Sequence, residues 1–158
     1  MKTILRTLVL ATVLGGAALA QGTPSMYVGG SFGVVFVAGF AGVPVTAQFG
    51  VEDVGVPGLD VRGSASYYVT GGGFEIGVDG IYNFPIQEGF TGYAGGGPRV
   101  LIGGCAVGFG LGLLGGAEFE VAPFVGLFGE VNTNVYFAGP LGLFVPGLKV
   151  GANYHIPQ

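Results

Sequence analysis

The sequence predicts an all-β fold, an eight-stranded antiparallel up-and-down transmembrane β-barrel. Three observations carry this expectation. Large apolar residues alternate with small, polar or charged ones at a period of two through most of the chain, which is the pattern of a two-faced strand. Charged residues make up only 9% of the 158 residues, against roughly a quarter in an ordinary soluble domain. The alternating segments number about eight, and each is close to or above the roughly 9–11 residues that cross a bilayer as a tilted strand.

The first twenty residues stand apart. MKTILRTLVLATVLGGAALA carries Lys2 and Arg6, then an apolar run, then Ala18-Leu19-Ala20 as an A-x-A cleavage site. This is the pattern of a secretory signal peptide. Residue 21 is Gln, not Cys, so the site lacks the mark of a lipoprotein. The expected division is a signal peptide over 1–20 and a barrel domain over 21–158.

The expected strands lie near 26–36, 42–52, 58–69, 73–83, 90–101, 107–121, 123–136 and 143–156. In VPVTAQFGVED, Val45, Ala47, Phe49 and Val51 oppose Thr46, Gln48, Gly50 and Glu52. In GLDVRGSASYYV, Leu59, Val61, Ala65 and Tyr67 oppose Asp60, Arg62, Ser64 and Ser66. In GFEIGVDGIY, Phe74, Ile76 and Val78 oppose Glu75, Gly77 and Asp79. The last two segments set Glu130, Asn132, Asn134, Lys149, Asn153 and His155 against Val131, Val135, Leu148, Val150 and Tyr154. Turn signals such as GVPG at 55–58, TGGG at 70–73 and NFPIQEG at 83–89 separate them. A two-residue turn at Gly71-Gly72 would pair Tyr68 with Glu75 and set Arg62 diagonal to Asp79. Pro98 calls for a bulge or an early strand end, with Arg99 near a rim.

The segment GGCAVGFGLGLLGGAEFEV, 103–121, tests the period. Gly104, Gly108, Gly112 and Gly116 form a GxxxG ladder, a packing face if the segment were helical. The helix gives no reason for Glu118 and Glu120 to alternate with Phe119 and Val121, and glycine is a poor helix former. A strand accounts for all of these positions. The alternatives to a barrel are a glycine-zipper helical membrane protein and a secreted glycine-rich fibril.

The apolar faces of all eight strands need burial. A membrane barrel supplies it, with apolar residues toward lipid and small or polar ones in the lumen. Closure also removes sheet edges. The expected lumenal ion-pair network contains Asp60, Arg62, Glu75, Asp79, Arg99, Glu118, Glu120, Glu130 and Lys149. Lys149 with Glu130 is the first expected pair and Arg62 with Asp79 the second, because unpaired lumenal charge is costly. Inward glycines are expected to make room for Arg and Tyr side chains.

Together the cleaved signal, the alternating strands, the lumenal charges and the final strand LKVGANYHI resemble the small OmpA/OmpX-type eight-stranded outer-membrane β-barrels. The resemblance covers nearly all of 21–158. It implies residence in the cell outer membrane, contact with outer-membrane lipid and delivery by the barrel assembly machinery. Such barrels usually end on an aromatic residue, for which Tyr154 is the nearest match. Their outer loops are usually long. Here the corresponding loops are short, which leaves little for adhesive display.

Catalytic chemistry has few candidates. His155 is the only histidine, and a Ser–His–acid arrangement would need a nucleophile beside it. Ser64 and Ser66 face inward, which keeps a lipid-modifying enzyme as a minor alternative. His155 is expected to be structural. Cys105 is the only cysteine, so no intramolecular disulfide forms. Neither GGGF at 71–74 nor GGGPR at 95–99 opens a helix, which removes a phosphate loop. Residues 21–158 keep three basic residues against nine acids, which argues against nucleic acid as a partner. No metal, cofactor or soluble substrate is expected. The leading reading is a structural or membrane-anchoring barrel without enzyme activity. The second is a narrow ion or water channel.

Overall fold

The computed structural model describes residues 25–37, 40–103, 106–138 and 141–157. The expected signal peptide and Cys105 lie outside them. Nine strands form: β1 (Met26–Val37), β2 (Phe40–Gly42), β3 (Pro44–Val51), β4 (Leu59–Tyr68), β5 (Gly73–Gln87), β6 (Phe90–Gly103), β7 (Ala106–Ala122), β8 (Val125–Ala138) and β9 (Leu141–Ile156). All neighbours are antiparallel, and β1 also pairs with β9, from Met26 opposite Ile156 to Val35 opposite Gly147. The sheet is therefore closed.

Strands β2 and β3 together are one barrel strand. The ladder to β1 runs from Met26–Val51 to Phe32–Val45, lapses, and resumes at Val35–Gly42 in the same register. The lapse falls at Pro44, which has no N–H to give. Val43 is tied instead to the β4–β5 turn: its N–H donates to Thr70 Oγ1 at 3.0 Å and its carbonyl accepts from Val69 N–H at 2.9 Å. Eight barrel strands result, in the expected places. The segment 106–122 is strand β7, so the helical alternative is excluded there.

The β4–β5 hairpin differs from expectation. Its loop has four residues, Val69 to Gly72, and Arg62 lies directly opposite Asp79 while Ser66, not Tyr68, faces Glu75. Gly71 and Gly72 both have positive φ, 97° and 68°, and Gly72 N–H closes the turn on Tyr68 O at 3.1 Å. The shift is two residues, so every side chain keeps its face.

Pro98 brings no bulge and no early end. Strand β6 runs straight through it, and Pro98 is exposed on the outer wall. The β5–β6 ladder lapses between Gly77–Arg99 and Gly80–Gly96, again without a change of register. Arg99 consequently sits deep in the lumen, not near a rim.

The outer wall is apolar. Phe32, Phe109, Leu113, Val131, Phe144 and Leu148 are all exposed. With no aqueous core to enter, this belt requires lipid, which makes the barrel a membrane-spanning one. The three exposed charges among the described residues, Asp53, Glu88 and Glu120, lie at the rim where β1 begins and β9 ends, the terminal rim. The opposite rim carries none.

Candidate functional site in the barrel lumen

The lumen is stratified. Alternation turns one residue in two inward, and the register stacks these residues in layers. At mid-height lies a charge cluster from four strands. Arg62 on β4 reaches across to Glu130 on β8, with Nη2 donating to Oε2 at 2.8 Å, and lies 3.5 Å from Asp79. Arg99 on β6 approaches Asp79 at 2.7 Å and Glu75 at 3.8 Å. These five side chains are buried. The Asp79 contacts are ionic rather than aligned hydrogen bonds, since neither of its oxygens completes one within the protein. Glu75 is better served: Tyr68 and Tyr136 hydroxyls and Asn134 Nδ2 all donate to its Oε2.

Glycines create the space. A Cβ at Gly77 or Gly112 would collide with the Arg99 side chain. One at Gly50 would strike the Tyr27 ring, and one at Gly116 the Tyr93 ring. Strand-interior glycine is otherwise a loss of packing; here it admits the neighbour's long side chain.

Lys149 does not take its expected partner. It faces Glu130 across the β8–β9 ladder, yet no ion pair within 4.0 Å among the described residues includes it. Arg62 already holds the Glu130 oxygen, because its planar fork spans the lumen between Glu130 and Asp79. Asp60 is also outside the network. It accepts from Asn83 Nδ2 at 2.7 Å and Asp53 N–H at 3.2 Å. Glu120 is not lumenal: it is exposed at the terminal rim, where the β7–β8 register shifts between Glu120 and Ala122 and β7 has run past the end of the cavity.

Glu118 belongs to a second cluster at the terminal end. His155 Nδ1 meets Glu52 Oε1 at 2.8 Å, and its Nε2 meets Glu118 Oε1 at 2.7 Å. Carboxylates accept, so both ring nitrogens donate and the ring is an imidazolium. Glu52 lies just beyond β3, and the His155 hydrogen bond holds its carboxyl below the ordinary value despite partial burial. Asn153 bridges inward, donating to Glu118 and accepting from Gln48 at 2.7 Å. A cavity of about 70 Å3 opens among Tyr27, Glu52, Asp60, Glu118 and His155.

Ile81, Tyr93, Leu114 and Phe128 form a buried apolar cluster beside the terminal cavity, which Ile81, Tyr93 and Arg62 also line. The closed sheet, the apolar exterior and the filled, charged interior are now all in place. The chain has the fold of the small eight-stranded outer-membrane β-barrels.

Comparison with solved structures agrees with this architecture. Neisserial surface protein A aligns with a TM-score of 0.63 at 18% identity, over 83% of this chain and 96% of that one. The N-terminal β-barrel domain of Pseudomonas aeruginosa OprF gives 0.58 at 17% identity, over 85% and 100%. The outer membrane enzyme PagL gives 0.53 at 13% identity, over 82% and 99%. No protein-family model and no curated protein matches the sequence. The small outer-membrane barrel is thus shared as a fold among proteins of different roles, and fold alone assigns none of them.

The sequence reading missed the inward apolar side chains. Val35, Tyr136 and Val145 pack as a buried cluster at the opposite end of the lumen, with Leu101 and Leu143 against it. The available signal is the loss of alternation in LGLFV at 141–145, where both faces are apolar.

Proposed function

We infer that the chain is an integral barrel of the outer membrane with a structural or anchoring role, and that its lumen is a filled plug rather than a pore. The carrying observation is the cross-lumen set Arg62, Arg99, Glu75, Asp79 and Glu130. Two guanidinium groups hold three carboxylates, two on β5 and one on β8, with the Ile81–Phe128 cluster also filling the lumen. A small barrel has an interior just wide enough for side chains, and these groups occupy its middle. By the topology of this fold, the terminal rim faces the periplasm and the short-looped rim faces outward.

The reading includes no enzyme activity. Both nitrogens of His155 are engaged by carboxylates, so neither can take a proton from a serine. Ser66 Oγ is instead bonded to Thr46 Oγ1 at 2.7 Å. A lipid-modifying role would need a different base.

One observation favours a narrow channel as the second reading. Glu52, Asp60 and Glu118 line the terminal cavity, and acids at a mouth concentrate cations. The deciding measurement is single-channel recording of residues 21–158 refolded into planar bilayers. The plug reading expects no unitary current in the wild type and a current in an Arg62→Ala, Arg99→Ala double variant. Cation-selective current in the wild type would replace it with the channel.

A further inference from the structure

The outward end of the lumen departs from the rule that a membrane barrel is polar inside. There the inward residues Val35, Leu101, Leu143 and Val145 enclose a cup of about 420 Å3, within the roughly 300–1,000 Å3 of small-molecule sites. Its floor is Tyr68 and Tyr136. Both hydroxyls point away from the cup and donate to Glu75. The floor therefore offers no free polar group, and besides the two tyrosines the polar side chain among the described lining residues is Thr70, whose Oγ1 accepts from Val43 N–H.

The rim above it has the same character. The turn Val69–Gly72 is TGG with a valine, and Phe40 and Ala41 line both the cup and the rim. Phe40 is 78% exposed. The outer belt reaches this rim: on β7 the outward residues run without a charge from Val107 to Val121. At about 3.3 Å per residue and a tilt of about 40°, that belt stands roughly 35 Å tall, against about 25 Å in ordinary barrels of this kind. Its outward end, Val107, is exposed at this rim. No charge separates the lipid-facing wall from the cup interior.

We propose that the cup is a binding site for one acyl chain of a membrane lipid, which bends over the uncharged rim and inserts tail-first. The match is by volume, by apolar lining and by continuity with the lipid-facing belt. Resting on the membrane-spanning reading of the barrel, it goes beyond the structural role by giving the outward mouth a ligand.

The test is contact labelling. Residues 21–158 would be refolded into phosphatidylcholine vesicles containing a lipid with a diazirine at the end of one chain. After illumination, adducts would be located by mass spectrometry. Adducts on inward-facing Val35, Leu143 or Val145, alongside outward-facing Phe144 and Leu148, are expected. Gly73→Phe should fill the cup, because a Cβ there meets only ordinary contacts with Tyr68, Ile102 and Leu101. Inward adducts should fall to background while outward ones persist. Leu101→Gln, which keeps the volume and adds an amide, should lower them too if the first variant does not fold. Adducts confined to outward residues, or inward adducts unchanged in folded Gly73→Phe, would overturn the proposal. So would labelling of the cup by a water-soluble diazirine alone, which would make it a site for a soluble apolar molecule. Absence of outward adducts would instead sink the membrane reading itself.

Discussion

Arg62 is the side chain on which the mid-lumen cluster turns. It alone contacts both Glu130 and Asp79, and removing one member of a buried ionic set leaves the others uncompensated. Arg62→Met should therefore lower the unfolding free energy in detergent by about 3–5 kcal/mol, read from urea titration. The Glu52–His155 contact belongs to the terminal end and is partly exposed. Glu52 is depressed below its ordinary 4.5, chiefly by the His155 hydrogen bond. A carboxylate depressed on folding stabilises above its unfolded value, and that stabilisation fades as pH falls through the folded one. The wild type should lose stability below about pH 4.5 more steeply than Glu52→Gln, compared by urea midpoints at pH 7 and pH 3. Equal slopes would mean that the contact carries no linkage. These residue roles were half legible. Parity alone turns Arg62, Glu75, Asp79, Arg99 and Glu130 inward. Which cation reaches which carboxylate depends on side-chain length across the lumen, and so Lys149 lost Glu130 to a residue 68 positions from it in sequence.

Strands were legible because period two recurs through most of the long strands β7 and β8, of 17 and 14 residues. Turns and prolines were not. The β4–β5 loop could close over two or four residues with identical faces, since slipping by two preserves parity. Two consecutive positive-φ glycines settle it, and those angles follow from the turn, not from the alternation. Gly72→Val, which places a branched side chain at φ 68°, should cost about 1–2 kcal/mol and reduce the folded band on an unboiled gel. Full wild-type stability in that variant would mean that the turn can readopt another form. Three of the four strand prolines share one explanation; the fourth, Pro85, lies where the β5–β6 register shifts. Pro44 and Pro98 each coincide with a lapse in a ladder whose register continues unchanged, and the β1–β9 ladder stops at Gly147, next to Pro146. A missing N–H removes a bond without requiring an extra residue, which is why the expected bulge at Pro98 does not form.

At the scale of the whole molecule, the barrel is graded along its axis from an acidic terminal mouth through an ionic middle packed with apolar side chains to a largely apolar cup. Composition predicts a charged lumen but not this order, because the cup residues are also what a lipid-facing wall would use. One consequence concerns proteases. Every basic residue of 21–158, namely Arg62, Arg99 and Lys149, points into the lumen. Trypsin cuts only after such residues, and it needs them in a chain it can unwrap. The folded barrel should therefore survive trypsin intact, while the unfolded chain breaks into four pieces. Digestion followed by a gel would then count folded molecules directly, and a variant fragmented at Lys149 before Arg62 would show that the β8–β9 side of the wall opens first.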